Sequence, residues 1–335
     1  MEYYLGVDQG GTKTAALVCD RDGRALGAGY EAGLITVYHQ DEEGVFTRRI
    51  RSAAEAACAE AGIRMEQVTL ACGSLNGADW DFEYPVLQDK LRDALGLRDV
   101  IVVNDCIGAM RAGSSAPDRA VVCAGSGLNA AVRNSGGDEI IYGYYIDAKY
   151  QGGGALGAAA IRKMMESHIG LCGETALTGM VLDFTGRKSA EELMIDITTR
   201  GYLIETKRLA PLLIQAYADG DAEAIDAAEE FSRGVARYIT AGMKRLGILG
   251  SAADLVFSGG VFKGKGSLLA ERIYEIICET ARNIRAVHAK LEPVCGAALI
   301  ALDRAYGGAA PDCVGAAIDA GAEKFGLIRN IDRKE

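Results

Sequence analysis

Tyr3-Tyr4-Leu5-Gly6-Val7-Asp8-Gln9-Gly10-Gly11-Thr12-Lys13-Thr14, followed by the apolar Ala15-Ala16-Leu17-Val18, spells a strand, a reversal and a second strand. Gly10 and Gly11 lack a Cβ, so the backbone can take a positive φ there and approach a ligand closely. Successive N–H groups in such a turn converge into an anion-binding nest. Thr12 and Thr14 add hydroxyl donors and Lys13 a cation, while Asp8 can hold Mg²⁺ through water beside phosphate groups. An ordinary glycine hairpin accounts for the same residues, so the decision falls to the rest of the chain.

Outward from this turn, β-like runs at 3–8, 14–20 and 24–30 open the chain. A helical pattern over 42–62 ends at Gly62 as a C-cap, Val68–Cys72 reads as a buried strand, and a helix over 84–96 stops at Gly96. Val100–Val103 is a second buried strand that delivers Asn104 and Asp105 at its carboxyl end, ahead of a short helix at 106–113. The order then repeats. Ala120–Ala124, the turn Gly125-Ser126-Gly127, a returning strand over 129–133 and a third run over 139–145 match the opening. A mostly helical tract covers about 151–247. Leu255–Ser258 is a strand ending in Gly259-Gly260, followed by a helix (267–282), a strand (284–289), and helices at 294–306 and 312–325. Two units that each open with strand, glycine turn and strand make an internal duplication, with the helical tract inserted in the second.

A chain of 335 residues suffices for two domains with separate cores. With 49% apolar and 24% charged residues, the composition is that of a soluble globular protein. The formal net charge of -10 argues against a nucleic-acid or anionic-membrane partner, though a local nest can still bind an anion. No basic n-region precedes the first strand and no apolar run approaches transmembrane length, so a cytoplasmic protein is expected. Nine cysteines are scattered without a C-x-x-C pair, and with three histidines, none near a cysteine in sequence, a zinc site has little support. Reduced thiols are the default, with Cys172, flanked by Gly170 and Gly173, the one expected at the surface.

Two glycine turns at matching places, facing one cleft, would suit a polyphosphate. Here the chain resembles the actin/hexokinase-like ATPase superfamily. Asp8–Thr14 is similar to its first phosphate loop, Ala124-Gly125-Ser126-Gly127 to its second, and Asn104-Asp105 to the first connecting segment. Ser258-Gly259-Gly260-Val261-Phe262-Lys263 resembles the adenosine motif, and Pro293-Val294-Cys295-Gly296-Ala297-Ala298 the second connecting segment. Asp-x-Gly-Gly-Thr-Lys-Thr, Gly-Ala-Asp-Trp-Asp (77–81) and Gly-Gly-Val-Phe resemble the branch of N-acetylglucosamine kinase and the BadF/BadG/BcrA/BcrD ATPases.

The resemblance implies an α/β fold of two ribonuclease H-like (actin/hexokinase-type) domains around a nucleotide cleft. One domain would span 1–115 and a larger one 116–335, with the last helix able to return to the first. It implies ATP with Mg²⁺, held by Gly10, Gly11, Thr12, Lys13 and Thr14, by Gly125, Ser126 and Gly127, and by Gly259, Gly260, Phe262 and Lys263, with Asp8 toward the metal. Asp105 would take the proton from the attacking hydroxyl; the alternative is that it merely N-caps the helix at 106–113. Asn76, Gly77, Asp79, Asn104 and Asp147 fall where a small-molecule hydroxyl substrate would be held, and a homodimer is the family's usual assembly.

The sequence departs from the sugar kinases twice. Their Gly-Asp-Glu-Gly-Ser is replaced by Asp147-Ala148-Lys149-Tyr150-Gln151-Gly152-Gly153-Gly154, which leaves Asp147 to stand in from a shifted position. Their asparagine after the third strand is absent from Gly33-Leu34-Ile35-Thr36. Trp80 reads equally as a sugar-stacking ring or as core, packing is expected for at least two of Tyr142, Tyr144 and Tyr145, and Lys149 reads as solvated or as a partner for an acidic group. Three activities follow: a kinase acting on an amino sugar or related polyol, an ATPase that drives a partner protein, or a nucleotide-binding regulator without transfer chemistry. The ATPase activators hold an iron–sulfur cluster through cysteines, and no matching pair occurs here.

Overall fold

The computed structural model describes residues 1–33, 38–41 and 44–328. Contacts divide these into two units, one of residues 1–121 with 287–328, the other of 122–286. The first half of the chain runs β1 (Tyr3–Gln9), β2 (Lys13–Asp20), β3 (Ala25–Ala32), α1 (Val45–Ala61), β4 (Val68–Leu75), α2 (Glu83–Leu95), β5 (Val100–Asn104) and α3 (Asp105–Gly113). The second begins with β6 (Arg119–Ala124), β7 (Leu128–Arg133) and β8 (Glu139–Ile141). Helices α4 (Gly152–His168), α5 (Ala176–Thr185), α6 (Ala190–Thr199), α7 (Ala210–Ala218) and α8 (Ala222–Arg245) follow. The chain closes with β9 (Ala253–Ser258), α9 (Ser267–Cys278), β10 (Ile284–His288), α10 (Pro293–Tyr306) and α11 (Asp312–Lys324).

The strands form two five-stranded sheets, ordered β3-β2-β1-β4-β5 and β10-β9-β6-β7-β8. Read from its other edge the second is β8-β7-β6-β9-β10, which is the first with each strand replaced by its counterpart. The duplication expected from the glycine turns is therefore present in the topology. In the first sheet β1 runs antiparallel to β2 and parallel to β4, and β4 runs parallel to β5. Three parallel strands thus end at one edge, and side chains following them gather there.

Alternation along the strands assigns the two faces of the first sheet. Leu5, Val7, Ala16 and Val18 join a core with Phe46, Ile50 and Ala53 of α1 and Leu87 and Leu91 of α2. Tyr4, Ala15, Leu17 and Cys19 face Val294, Ala298 and Leu302 of α10 and Val314 and Ile318 of α11. Burying both faces makes these strands read as continuous apolar runs. Chain order alone assigns 294–306 to the second half, yet α10 packs against β1, β4 and α3 in the first unit. Small residues permit it. A Cβ on Gly6 would fall 2.3 Å from the Ala298 nitrogen, and one on Gly296 would fall 1.8 Å from the Gly108 carbonyl oxygen.

Gly62 and Gly96 end α1 and α2 in the left-handed conformation, as their positions predict. The run expected as strand over 139–145 stops at Ile141, and Gly143–Tyr145 closes into a 3-10 turn. Gly143 takes φ 38°, which breaks the extended geometry.

Candidate functional site

In the first unit the predicted residues collect at the carboxyl edge of the three parallel strands. Asp8 pairs with Ser74 in the β1–β4 register, and Leu75 pairs with Asn104 in the β4–β5 register. Asp8 is 5% exposed, and the Ser74 hydroxyl donates to the Asp105 carbonyl at 3.3 Å. Asn76 donates from its backbone to the Gln9 carbonyl at 2.8 Å, so the loop after β4 is sewn to the start of the first glycine turn. Gly77, at φ 86°, then redirects the chain toward Asp79.

Asn104 is the N-cap of α3. Its Oδ1 accepts from the Cys106 backbone at 3.0 Å, while its Nδ2 donates to the Ala78 carbonyl and to Asp79 Oδ1 at 3.0 and 2.9 Å. The cap reading considered for Asp105 is thereby overturned, because Asn104 fills that position. Asp105 sits at the first helical residue, half-buried. Burial, then the neighbouring Glu83 carboxylate, raise the Asp79 pKa, while the Asn104 donor works in the opposite direction. Glu83 accepts from the backbone N–H groups of Asp79 and Trp80 at 2.8 and 2.9 Å.

The first glycine turn departs from expectation in one respect: neither Gly10 nor Gly11 takes a positive φ. The Gly10 N–H bonds to the Lys13 carbonyl at 3.1 Å and closes the reversal with ordinary dihedrals. Their value is spatial, since a Cβ at either would meet no atom within 4 Å. Gly11 and Thr12 are exposed, whereas Thr14 is fully buried and its hydroxyl accepts from Gln9 Nε2 at 3.2 Å. Lys13 is committed within its own unit, its Nζ 2.5 Å from Glu292 Oε2 at the start of α10.

In the second unit Gly125, Ser126 and Gly260 line one cavity of about 300 Å³, together with Gly153 and Lys207. Its apolar wall is Ala210, Pro211, Ile214 and Val261. Glycines in the left-handed region brace it from behind. Gly259, at φ 108°, lies so close to β6 that a Cβ would fall 2.1 Å from the Ala124 carbonyl oxygen. Gly152, at φ 52°, approaches the Gly127 carbonyl in the same way, and a Cβ there would fall 2.2 Å from its oxygen. The N–H groups of Gly153 and Gly154 donate to Gly125 and Ser126 at 2.8 and 2.9 Å, so the first turn of α4 is clamped onto the second glycine turn.

Other expected residues lie elsewhere. Phe262 is buried and packs its ring edge-on against Phe257 at 5.1 Å, while Lys263 is half-buried beyond it. Asp147 is exposed and caps the 3-10 turn Ala148–Tyr150, accepting from the Lys149 backbone at 3.0 Å. Gln151, the residue before the triple glycine, has its carboxamide tied at both ends: Nε2 donates to the Ile146 carbonyl and Oε1 accepts from the Leu128 N–H, each at 3.1 Å. Trp80 is 37% exposed; of the three tyrosines, at least two of which are expected to pack, Tyr142 is half-buried and Tyr144 and Tyr145 are exposed. These two lie within the 3-10 turn Gly143–Tyr145, where successive side chains splay outward instead of alternating. Residues 34–36, where an asparagine is absent, lie outside the described residues. Cys172 is half-buried, whereas Cys313 is exposed, and all nine cysteines are free thiols. Lys207, Gly153 and the start of α7 escape sequence reasoning because they come from the helical insertion; the only signal is the triple glycine at 152–154.

Residues 5–301 match the profile of the BadF/BadG/BcrA/BcrD ATPase family. Among curated proteins, the N-acetylmuramic acid/N-acetylglucosamine kinase of Clostridium acetobutylicum is 25% identical over 90% of this chain and 98% of its own length. The N-acetyl-D-glucosamine kinase of Dictyostelium discoideum is 23% identical with the same coverage, 90% and 98%. A crystal structure of a candidate N-acetylglucosamine kinase from Chromobacterium violaceum superposes with a TM-score of 0.66, at 20% identity, over 89% of this chain and 98% of that one. That likeness establishes the two-sheet α/β fold. With a profile match that runs from β1 into α10, the chain belongs to the BadF/BadG/BcrA/BcrD ATPase family.

Proposed function

We propose that this protein transfers the γ-phosphoryl group of Mg-ATP to a hydroxyl of an amino sugar or related polyol. The observation that carries the reading is the division of labour between Asn104 and Asp105: the first caps α3, and the second presents a carboxylate at the end of a parallel strand. ATP supplies the transferable group. Asp105 accepts the proton of the acceptor hydroxyl as it attacks, and Asn104, held by Asp79, fixes where that carboxylate stands. The names of the two curated relatives support an amino-sugar acceptor.

The cavity of the second unit fits an adenine nucleotide. A volume of about 300 Å³ lies at the small end of ligand pockets, and its wall combines apolar side chains with glycine backbone. Gly125 and Gly260 leave open space where a Cβ would stand, so a ligand can touch the main chain there. Asp8 suits Mg²⁺ in its usual manner. Among the described residues no group of three or more acidic, histidine or cysteine side chains could hold a metal, and Mg²⁺ with phosphates needs only one or two carboxylates and water. Nine free thiols fit a reducing cytoplasmic setting, and the resemblance adds a homodimer to the proposal.

ATP turnover measured against a panel of amino sugars, sugars and polyols, with an acceptor-free control, tests this reading. Turnover that depends on one acceptor class and yields its phosphate ester is expected. Equal turnover with and without acceptor would make the protein an ATPase instead.

A further inference from the structure

We infer that Lys207, from the helical insertion, is the cation that holds the phosphate chain of the nucleotide, a role that the motif order gives to Lys13. This deepens the nucleotide reading above and depends on it. Lys13 has its charge matched at 2.5 Å by Glu292, with both side chains partly buried. Lys207 is different in kind. Among the described residues it is the sole charged one that lines the 300 Å³ cavity, and no acidic one does, in a chain whose formal net charge is -10. Its ionic partner, Glu205 at 2.8 Å, is two residues away with a 58% exposed side chain. A solvent-exposed pair of that kind contributes little to stability, so the ammonium can turn to a phosphate at little loss.

Position supports the same assignment. A Cβ built on Gly153 would lie 3.8 Å from Lys207 Cβ, and Gly153 itself is bonded to the glycine turn through the Gly125 carbonyl at 2.8 Å. The lysine therefore stands near the exposed turn residues Gly125 and Ser126, which line the same cavity. Pro211, Ile214 and Val261 form an apolar wall suited to a flat base. The first turn of the nine-residue α7 also borders the cavity and adds the positive end of its dipole. One cationic end and one apolar wall describe a nucleoside di- or triphosphate better than a neutral nucleoside or a sugar.

The test is calorimetric titration of the full chain with ATP, ADP and adenosine, for the wild type, Lys207→Gln, Lys207→Met, Lys207→Arg and Lys13→Gln. Neutral residues at 207 should weaken ATP and ADP by on the order of tenfold or more, since a charge-assisted contact is lost. Adenosine should bind as before, Lys207→Arg should recover most of the affinity, and Lys13→Gln should have the smaller effect. The loss should shrink as salt is raised. Unchanged ADP affinity in folded Lys207→Gln or Lys207→Met would overturn the inference while leaving the nucleotide reading standing. An equal loss for adenosine and ADP would also overturn it, by placing the lysine on the base or ribose. A wild type that binds none of the three ligands would remove the nucleotide reading itself and the inference with it.

Discussion

Arg111 donates through Nε and Nη2 to the two carboxylate oxygens of Asp303, at 2.8 and 3.0 Å, across 192 positions of sequence. The pair fastens α3, which begins with Asp105, to α10. The Arg111 side chain is 7% exposed and that of Asp303 22%, so little water competes for either. Arg111→Met should cost about 2–3 kcal/mol, because it leaves a largely desolvated carboxylate with only the Ala310 N–H at 2.8 Å. Arg111→Lys should recover only part, since an ammonium cannot span two oxygens. Urea unfolding midpoints measure both; equal stability of all three proteins would contradict the role.

Asp105→Asn isolates the proton transfer. Asparagine keeps size and polarity but cannot accept the proton, so turnover should fall by roughly 10²–10⁴-fold while nucleotide affinity stays near normal. Because Asn104 is the cap, the melting temperature should hardly move. Full-rate turnover would end the mechanism proposed here.

Two glycines should respond in opposite ways. Gly11 has an ordinary φ and open space around it, so Gly11→Val should fold normally and lose nucleotide affinity through the volume it adds. Gly259 combines φ 108° with β6 backbone 2.1 Å from any Cβ, so Gly259→Ala should be destabilised by at least ~1–3 kcal/mol. Thermal melts beside calorimetric titration separate the two; a destabilised Gly11→Val with normal affinity would reverse the assignment.

Asp79 gives the protein a pH signature. Its pKa is raised by burial and by Glu83, so the folded state holds that proton more tightly than the unfolded chain. Its own contribution to stability is fully present below the ordinary aspartate pKa of about 4 and is lost as pH rises through the window above it. Asp79→Asn should flatten that decline while keeping an acceptor for Asn104. Urea midpoints of both proteins through the acid range measure it, and parallel curves would count against Asp79 as the titrating group.

Features that repeat or punctuate were legible in the sequence: two strand–turn–strand openings, glycine stops at 62 and 96, and carboxylates after apolar runs. Asp8, Asn76, Asp79, Asn104 and Asp105 share an edge because parallel strands carry them there, a placement that strand order alone makes readable. What stayed hidden depends on distant partners. Nothing local marks Lys13 for Glu292, 279 positions away, or lets Gly6 and Gly296 predict where α10 docks. Glycine permits positive φ without requiring it, so Gly10 and Gly152 look alike in sequence and differ in conformation. Lys207 follows no motif at all.

The first sheet passes from β3 to β4 through α1 as its one α-helix, whereas the second passes from β8 to β9 through α4 to α8. The extra length therefore lies in a link outside the hydrogen-bonded ladder and the β6–β7 reversal. Lys207, Ala210, Pro211 and Ile214 all come from that longer link, while Gly125, Ser126 and Gly260 come from the strand ends that the two sheets share. The two sides of the cavity thus belong to separate parts of the architecture. The apolar wall can therefore be altered by substitutions in a short helical module, with no cost to the strand pairing beneath it.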